Sequence, residues 1–312
     1  MIRVGLLGPP DRLEIGRLSL RLEERGVEPV LLDSRRPPEF EITAGSVRAL
    51  GEDLLALRGL MVIDLGLPAT GDGAAESVAA SRRHLAGWNA ALEALEGRVR
   101  VVNPPQSHEL HGLKPFETLD YQWRGLPVPE TVATSSPEGF DRLPAFTHGT
   151  IRKSLVGGLD FTEAVEDGPT ADRERLLAER GAVLIQRRIV GDNVRVFVLD
   201  GRVLGAAAII PANPAATDSR RGESLVRRVK MPVATEKVVL AAVEASGMVF
   251  AAVDLMREGA SGRDYLLECN SAPFFVAFEK ASGFDIASPL ADYLAARRGG
   301  TRSEALGPQP RR

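Results

Sequence analysis

The sequence predicts an α/β protein that becomes α+β in its C-terminal part. Over roughly the first hundred residues, short apolar runs alternate with longer helical patterns, which is typical of parallel strands joined by helices. Further along, strand patterns follow one another through tight turns such as Asp200-Gly201, which indicates β-hairpins. We therefore expect a small parallel sheet first and hairpin-containing subdomains after it.

The N-terminal elements begin with a β-α-β unit. Ile2–Leu7 is an apolar strand, a helix carries apolar residues between Leu13 and Leu22, and Val27–Leu32 is the second strand. A strand at 59–65, a helix at 74–95 and a strand at 99–103 complete the predicted sheet. The segment LLGPPDRLEIG lacks the GxGxxG fingerprint, so this sheet is not an obvious dinucleotide site.

Pro104 and Pro105 mark a boundary. Beyond it we predict helices at 115–124, 235–246 and 284–296, a loop at 211–224, and strands at 182–188, 194–198, 202–210, 248–256 and 264–269. The predicted division is an N-terminal domain 1–103, a central subdomain 104–188, a C-terminal subdomain 189–296 and a frayed tail 297–312.

Composition argues against several classes of protein. A chain of 312 residues exceeds the usual size of one core, so two or three subdomains are expected. A net charge of −3 gives no basic field for nucleic acid, and no run approaches the roughly 18 apolar residues of a membrane span. Cys269 alone cannot form an internal disulfide. We expect a cytoplasmic protein without nucleic-acid or membrane partners; a homo-oligomer stays open.

The most informative segment is the hairpin VDLMREGASGRDYLLECN. With a pivot near Ser261, Asp254 and Glu268 lie opposite each other, and opposed side chains have Cβ atoms about 4.5–5.5 Å apart. Asn270 projects from the same face because it lies two residues beyond Glu268. Such oxygen ligands suit Mg²⁺, which takes one or two carboxylates plus phosphates and waters. The alternative is a solvent-facing hairpin with ordinary surface acids.

Three longer segments carry a recognisable pattern. They are NSAPFFVAFEKASGFDIA (270–287), LIQRRIVGDNVRVFVLDGRVLGAA (184–207) and GLKPFETLDYQWRGLPVPET (112–131). They resemble, in that order, the C-terminal motif, the strand–hinge–strand and the central element of RimK-type carboxylate–amine ligases in the ATP-grasp superfamily. The resemblance spans about residues 104–290 and implies an N-terminal parallel-sheet domain followed by a two-subdomain ATP-grasp fold.

The resemblance also implies an activity. Ligases of this family transfer the γ-phosphoryl group of ATP to a carboxylate, and an amine then attacks the acylphosphate. Asp254, Glu268 and Asn270 match the family's metal ligands, which hold Mg²⁺, or alternatively Mn²⁺, against the phosphates. The substrates are expected to be a carboxylate and an amine of amino-acid or peptide type. A small-molecule kinase and an ATP-binding regulatory protein are the rival functions.

Cationic and glycine positions match the family's phosphate-binding groups. Lys114 and Lys153 match its two phosphate-contacting lysines, and Gly157 and Gly158 its glycine loop, where the backbone approaches phosphate closely. Arg195, within a strand, matches the arginine that reaches the γ-phosphate. For Lys114, the alternative is a solvated lysine near a helix start.

The remaining matches concern the base and the acceptor. Backbone groups of Gln186, Arg187 and Arg188 would bind adenine between Leu184 and Ile189. Asp192 would hold the ribose or else be a turn acid. Arg220 or Arg221 would hold the acceptor carboxylate, the alternative being a basic surface loop, and Ser271 would face substrate.

Three departures from the family pattern are visible. Arg187 replaces the usual hinge glutamate, and the glycine loop SLVGGLDF is short; both favour the regulatory rival. Phe274-Phe275 replaces a glycine, which predicts a narrower or more apolar substrate pocket.

Overall fold

The computed structural model describes residues 1–37, 39–65, 74–156, 162–165, 170–212 and 224–297, without the side chains of residues 74–77 and 111. The predicted glycine loop at Gly157 and Gly158, the predicted acceptor arginines Arg220 and Arg221, and nearly all of the predicted tail lie outside these residues. In the described ranges, no helix is long and apolar enough to cross a membrane.

The first third forms a parallel sheet, as predicted. Its elements are β1 Ile2–Leu7, α1 Leu13–Glu23, β2 Val27–Leu32, β3 Glu41–Ile42, β4 Val47–Ala49, β5 Glu52–Asp53, β6 Gly59–Val62, α2 Ala74–Ala94 and β7 Arg100–Val102. The strand order is β2-β1-β6-β7, and every pairing is parallel. The small sheet β3-β4-β5 was not predicted, because strands of two or three residues show no periodicity.

The middle of the chain folds into α3 Pro105–Glu109, α4 Lys114–Trp123, β8 Thr131–Thr134, β9 Thr150–Lys153, β10 Glu163–Val165, α5 Thr170–Arg180 and β11 Val183–Arg187. The four strands form one antiparallel sheet in the order β10-β9-β11-β8. Helix α4 lies elsewhere: its Tyr121 is buried in a core shared with the last part of the chain. The predicted boundaries at 103/104 and 188/189 stay a prediction.

The last part contains β12 Gly191–Leu199, β13 Arg202–Pro211, β14 Ser224–Arg228, α6 Val233–Ala245, β15 Phe250–Glu258, β16 Asp264–Asn270, α7 Val276–Ser282 and α8 Ala287–Ala295. The predicted hairpins are confirmed within an antiparallel sheet of order β14-β13-β12-β15-β16. Both residues of the Asp200-Gly201 turn have positive φ, at 47° and 71°. Strand β14 begins at Ser224, the last residue of the predicted loop, and α7 was missed because one seven-residue helix gives little periodicity.

The five-stranded sheet packs against a different hydrophobic cluster on each face, so each side chain in it can be assigned to one face. On β12, Val194, Val196 and Val198 pack with α4 and α6, whereas Phe197 and Leu199 pack with α1, α7 and α8. Alternation along a strand therefore places Arg195 on the same face as Phe197. This face meets the N-terminal sheet, so the first and last parts of the chain share one core.

Candidate active site

A row of charged side chains crosses three neighbouring strands. Arg195 on β12 pairs in register with Asp254 on β15, and Asp254 pairs with Glu268 on β16. The predicted opposition of Asp254 and Glu268 is therefore confirmed. Arg195 donates to both carboxylate oxygens of Asp254, each at 2.8 Å. The Asp254 carboxylate raises the pKa of the Arg195 guanidinium above its usual value, so this cation is permanently charged.

A β-bulge lies beside this row. Asp254 pairs with Glu268, but the next pair toward the turn is Leu255 with Leu266, which leaves Leu267 as the extra residue. Symmetry about Ser261 therefore predicts the pair Asp254–Glu268 correctly. Nearer the turn it predicts Leu255 opposite Leu267, whereas the observed partner of Leu255 is Leu266. Leu267 consequently lines the same cavity as Glu268.

Asn270 completes the group of oxygen donors. Its Nδ2 donates to Oδ2 of Asp254 at 3.2 Å, so the third predicted residue reaches the first. Asp254 is only 6% exposed. Nζ of Lys114, from α4, lies 2.6 Å from Oε2 of Glu268. Each acid thus has a cationic partner, which offsets the repulsion between two carboxylates on adjacent strands.

The donor set fits Mg²⁺ and fits a structural zinc site poorly. Across the described residues, no three His, Cys, Asp or Glu side chains cluster to form a metal site by themselves. Two carboxylates and an amide provide a partial shell of hard oxygen donors. Mg²⁺ usually completes such a shell with water and substrate phosphates. Asp254, Glu268 and Asn270 would therefore hold the ion only together with a phosphate-bearing ligand.

These side chains open into a cavity of about 630 Å³. Nine of the residues predicted for the metal, phosphate and base sites line it: Lys114, Lys153, Gln186, Arg187, Ile189, Arg195, Asp254, Glu268 and Asn270. Ser271 lines it too, whereas Arg188 and Asp192 are not part of the lining. Instead, Oδ2 of Asp192 lies 3.5 Å from a guanidinium nitrogen of Arg227.

The predicted base-binding hinge lies between β11 and β12. The N–H of Arg187 already donates to the carbonyl of Glu130, and the N–H of Arg188 donates to that of Gly149. These two N–H groups already have acceptors, and the prediction that backbone groups of Gln186, Arg187 and Arg188 bind the base stays a prediction. The Arg187 side chain is 2.7 Å from Glu258 and stacks on Tyr265, which ties the hinge to the tip of the β15–β16 hairpin.

Several cavity residues were not predicted, although for some the sequence held a signal. Ile151, Asn193 and Met256 each lie two positions from a predicted residue on the same strand, so alternation places them on the same face. Ile63, Asp64 and His108 come from other segments, and no local pattern identifies them. His108 Nδ1 lies 3.2 Å from Oγ of Ser271.

Helix α4 supports the site from behind. Glu117, 5% exposed, accepts hydrogen bonds from the Tyr121 hydroxyl at 2.8 Å and from the N–H of Cys269 at 2.9 Å. Burial raises the pKa of Glu117 to about 7, although both hydrogen bonds act to lower it. The buried carboxyl of Glu117 therefore contacts the backbone of β16, the strand that carries Glu268 and Asn270.

Residues 171–294, which include β11 to β16, match the model of the RimK-like ATP-grasp domain. The chain carries a RimK-like ATP-grasp domain. The matched residues contain Arg195, Asp254, Glu268 and Asn270, so the charged row lies inside the ATP-grasp domain.

Relatives extend the similarity beyond this domain. The chain is 28% identical to the tetrahydromethanopterin:alpha-L-glutamate ligase of Methanosarcina acetivorans, over 94% of this chain and 99% of that protein. It is similar in structure to the ATP-grasp ligase PsnB complexed with a minimal precursor, with TM-score 0.81 and 26% identity over 94% and 98% of the two chains. The macrocyclase MdnC from Microcystis aeruginosa shares the fold, with TM-score 0.75 and 16% identity over 95% and 100%.

Proposed function

We propose that this chain is an ATP- and Mg²⁺-dependent ligase that joins a carboxylate to an amine and releases ADP and phosphate. The observation that carries the proposal is the row Arg195–Asp254–Glu268, with Asn270 beside it, at the wall of one cavity inside the RimK-like ATP-grasp domain. Such a row combines anionic metal ligands with a fixed guanidinium. Phosphoryl transfer needs both of these and no protein nucleophile.

In the first step, one set of cavity residues would bind the metal ion and another would bind the phosphate. Asp254, Glu268 and Asn270 would hold Mg²⁺, which neutralises charge that develops on the transferred phosphoryl group. Arg195 and Lys114 lie against the two acids, within reach of the same anionic group, and Lys153 approaches from β9 on the other wall. These cations orient the terminal phosphate of ATP toward the substrate carboxylate, whose attack forms the acylphosphate.

The adenine end lies at the hinge. Adenine presents a donor at N6 and an acceptor at N1, so it needs one carbonyl and one N–H group. Because the N–H groups of Arg187 and Arg188 already have acceptors, we assign the carbonyl of Arg187 and the N–H of Ile189 to the base. Ile189 and Met256, which both line the cavity, provide apolar contact area.

The second step requires an amine at the other end of the cavity. The structures of PsnB contain a precursor peptide, and the Methanosarcina relative is named for glutamate ligation. We therefore propose an amino acid or a peptide as substrate. The loop after β16 favours an apolar neighbour of the reacting group, because Phe274 lines the cavity while 53% exposed. The single, buried Cys269 suits a reducing compartment, so we propose a cytoplasmic enzyme.

The test is amine-dependent ADP release. Pools of amino acids and peptides are incubated with protein, ATP and Mg²⁺, and products are identified by mass spectrometry. We expect ADP release that requires both substrates and a product equal in mass to acid plus amine minus water. Glu268→Gln should abolish ADP release without unfolding the protein, whereas Asp264→Asn, on the same strand outside the cavity lining, should retain it. A phosphorylated acid formed without any amine would instead identify a kinase.

A further inference from the structure

Two buried polar side chains hold the backbone on either side of Asn270, and neither belongs to the hairpin that carries it. Glu117 of α4 accepts through Oε1 from the N–H of Cys269 at 2.9 Å. Asn103, directly after β7, donates from Nδ2 to the carbonyl of Ser271. The residues immediately before and after Asn270 are thus both fixed from outside the strand.

Asn103 joins the two strands of the site. It is fully buried, and its Oδ1 accepts from the N–H groups of Val249 at 2.7 Å and Phe250 at 2.8 Å. Its Nδ2 also donates to the carbonyl of Phe250 at 2.6 Å. One amide therefore connects the start of β15 with the end of β16. Leaving these buried backbone groups without a partner would be unfavourable, which makes the connection stiff.

Glu117 accepts a hydrogen bond from β16 at the outer edge of the five-stranded sheet. Strand β16 is the last strand of its sheet, so one side of its backbone has no neighbouring strand. Along this edge the N–H of Leu266 donates to the carbonyl of Pro127 at 2.7 Å, and that of Cys269 donates to Glu117. The same helix also sends Lys114 to Glu268 at 2.6 Å. Helix α4 therefore fixes both the backbone and a charge of β16.

We propose that Glu117 and Asn103 are positioning residues of the metal centre. By fixing the backbone around Asn270, they make its amide and the Glu268 carboxylate converge on Asp254. Neither residue touches the ion or the substrate. The inference rests on the proposed metal–nucleotide function of this site. Residues that orient metal ligands typically change metal affinity by about 10–100-fold when they are removed.

The test measures metal binding directly. Mn²⁺ is titrated into the protein–ADP complex and free Mn²⁺ is read by electron paramagnetic resonance. Glu117→Leu removes the acceptor at similar volume and should weaken Mn²⁺ binding by about tenfold or more. Glu117→Gln keeps an oxygen acceptor for the N–H of Cys269 and should bind Mn²⁺ like the wild type. ADP affinity in the presence of EDTA should be unchanged in both variants.

Glu279→Leu is the matched control. Glu279 is also a buried glutamate, 7% exposed, and its Oε1 accepts from the N–H groups of Ile286 and Ala287, both at 2.7 Å, outside the cavity lining. Its loss should lower stability and leave Mn²⁺ affinity unchanged. If metal affinity fell equally in this variant, the effect in Glu117→Leu would be general destabilisation and the inference would be wrong.

Two further outcomes are decisive. Wild-type Mn²⁺ affinity in Glu117→Leu overturns the positioning role. If Glu117→Leu does not fold, Glu117→Asp replaces it, because its carboxylate is one methylene too short to reach Cys269; unchanged affinity there overturns the role equally. A wild-type protein that binds no Mn²⁺ with ADP contradicts the proposed function instead, so the two failures are distinguishable.

Discussion

Individual cations around the cavity differ in what holds them. Of the described lining residues, Lys114 lies against Glu268, Arg195 lies against Asp254, and Arg187 lies against Glu258 at the hairpin tip. Lys153 comes from β9, in the sheet on the other side of the cavity. Its backbone therefore belongs to a different sheet from that of Asp254 and Glu268, so replacing it tests the opposite wall of the cavity.

We predict that Lys153→Met weakens ATP binding by about tenfold or more, because a hydrogen bond to a charged group contributes roughly 1.5–3 kcal/mol. Isothermal titration with a non-hydrolysable ATP analogue measures the change. Arg152→Met is the control: Arg152 is the preceding residue, points to the opposite face and pairs with Glu163. Equal affinity in Lys153→Met and wild type would remove Lys153 from the site.

The sequence predicted residues of this site where two simple rules held. Alternation along a strand and symmetry about a hairpin turn correctly placed Asp254 opposite Glu268 with Asn270 beside them. Neither rule reaches Asp64 or His108, which arrive at the cavity from segments far away in the chain. The pairing of Arg195 with Asp254 was also not predicted, because the sequence does not state which strands are neighbours.

At the level of the element, several long helices and strands were predicted close to their observed bounds, whereas the helices α5 Thr170–Arg180 and α7 Val276–Ser282 were missed. The bounds of β1 and β2 match, and α4 and α6 start only one or two residues before their predicted positions. The bulge at Leu267 was missed because Tyr265, Leu266 and Leu267 form a continuous apolar run, which has no alternation for an extra residue to interrupt. It adds Leu267 to the residues that line the cavity.

Helix α4 provides a prediction about pH. The pKa of Glu117 is about 7 in the folded protein and about 4.5 in the unfolded chain, so the native state holds the proton more tightly. Stability from this group is complete below about pH 4.5 and is lost as the pH rises toward and beyond 7, by an amount of roughly 3 kcal/mol. Glu117→Gln cannot ionise and should lack this loss.

Urea unfolding at pH 5 and pH 8 measures the effect. The difference in free energy of unfolding between wild type and Glu117→Gln should move in favour of the variant at the higher pH. Parallel pH profiles of the two proteins would show that Glu117 does not titrate in this range in the native state.

On the scale of the whole molecule, the first and last parts of the chain form one hydrophobic core. Val4 and Leu6 of β1 and Leu18 of α1 lie in the same cluster as Phe275 and Leu290. Two ion pairs cross this contact as well, Arg17 with Glu279 at 2.8 Å and Arg25 with Asp292 at 2.5 Å. Composition predicted several subdomains but gave no sign that these two parts would be packed together.

We predict that Phe275→Ala lowers the free energy of unfolding by about 3–5 kcal/mol, because it leaves a cavity in this shared core. Phe274→Ala, the adjacent and 53% exposed phenylalanine, should cost less than about 1 kcal/mol. Trp88 and Trp123 are the only tryptophans in the sequence, so in a Trp123→Phe background the fluorescence of buried Trp88 reports on the N-terminal part of the chain.

In the Trp123→Phe background, the urea concentration at the midpoint of the Trp88 fluorescence transition should fall when Phe275 is replaced by alanine. The physical reason is cooperativity: damage to the C-terminal side of the shared core unfolds the N-terminal sheet with it. A Trp88 transition that stays in place while circular dichroism shifts would mean that the two parts unfold independently.

The packing of α8 has a consequence for biosynthesis. This helix lies against β1 and β6, and the carbonyl of Leu294 comes so close to Gly59 that a Cβ atom there would be 2.6 Å from it. Strand β1 leaves the ribosome long before α8, which is made only after β16 and α7. Part of the apolar surface of the first sheet therefore stays uncovered on the nascent chain until α8 has been synthesised, and chaperones that bind apolar segments would have that long to act on it.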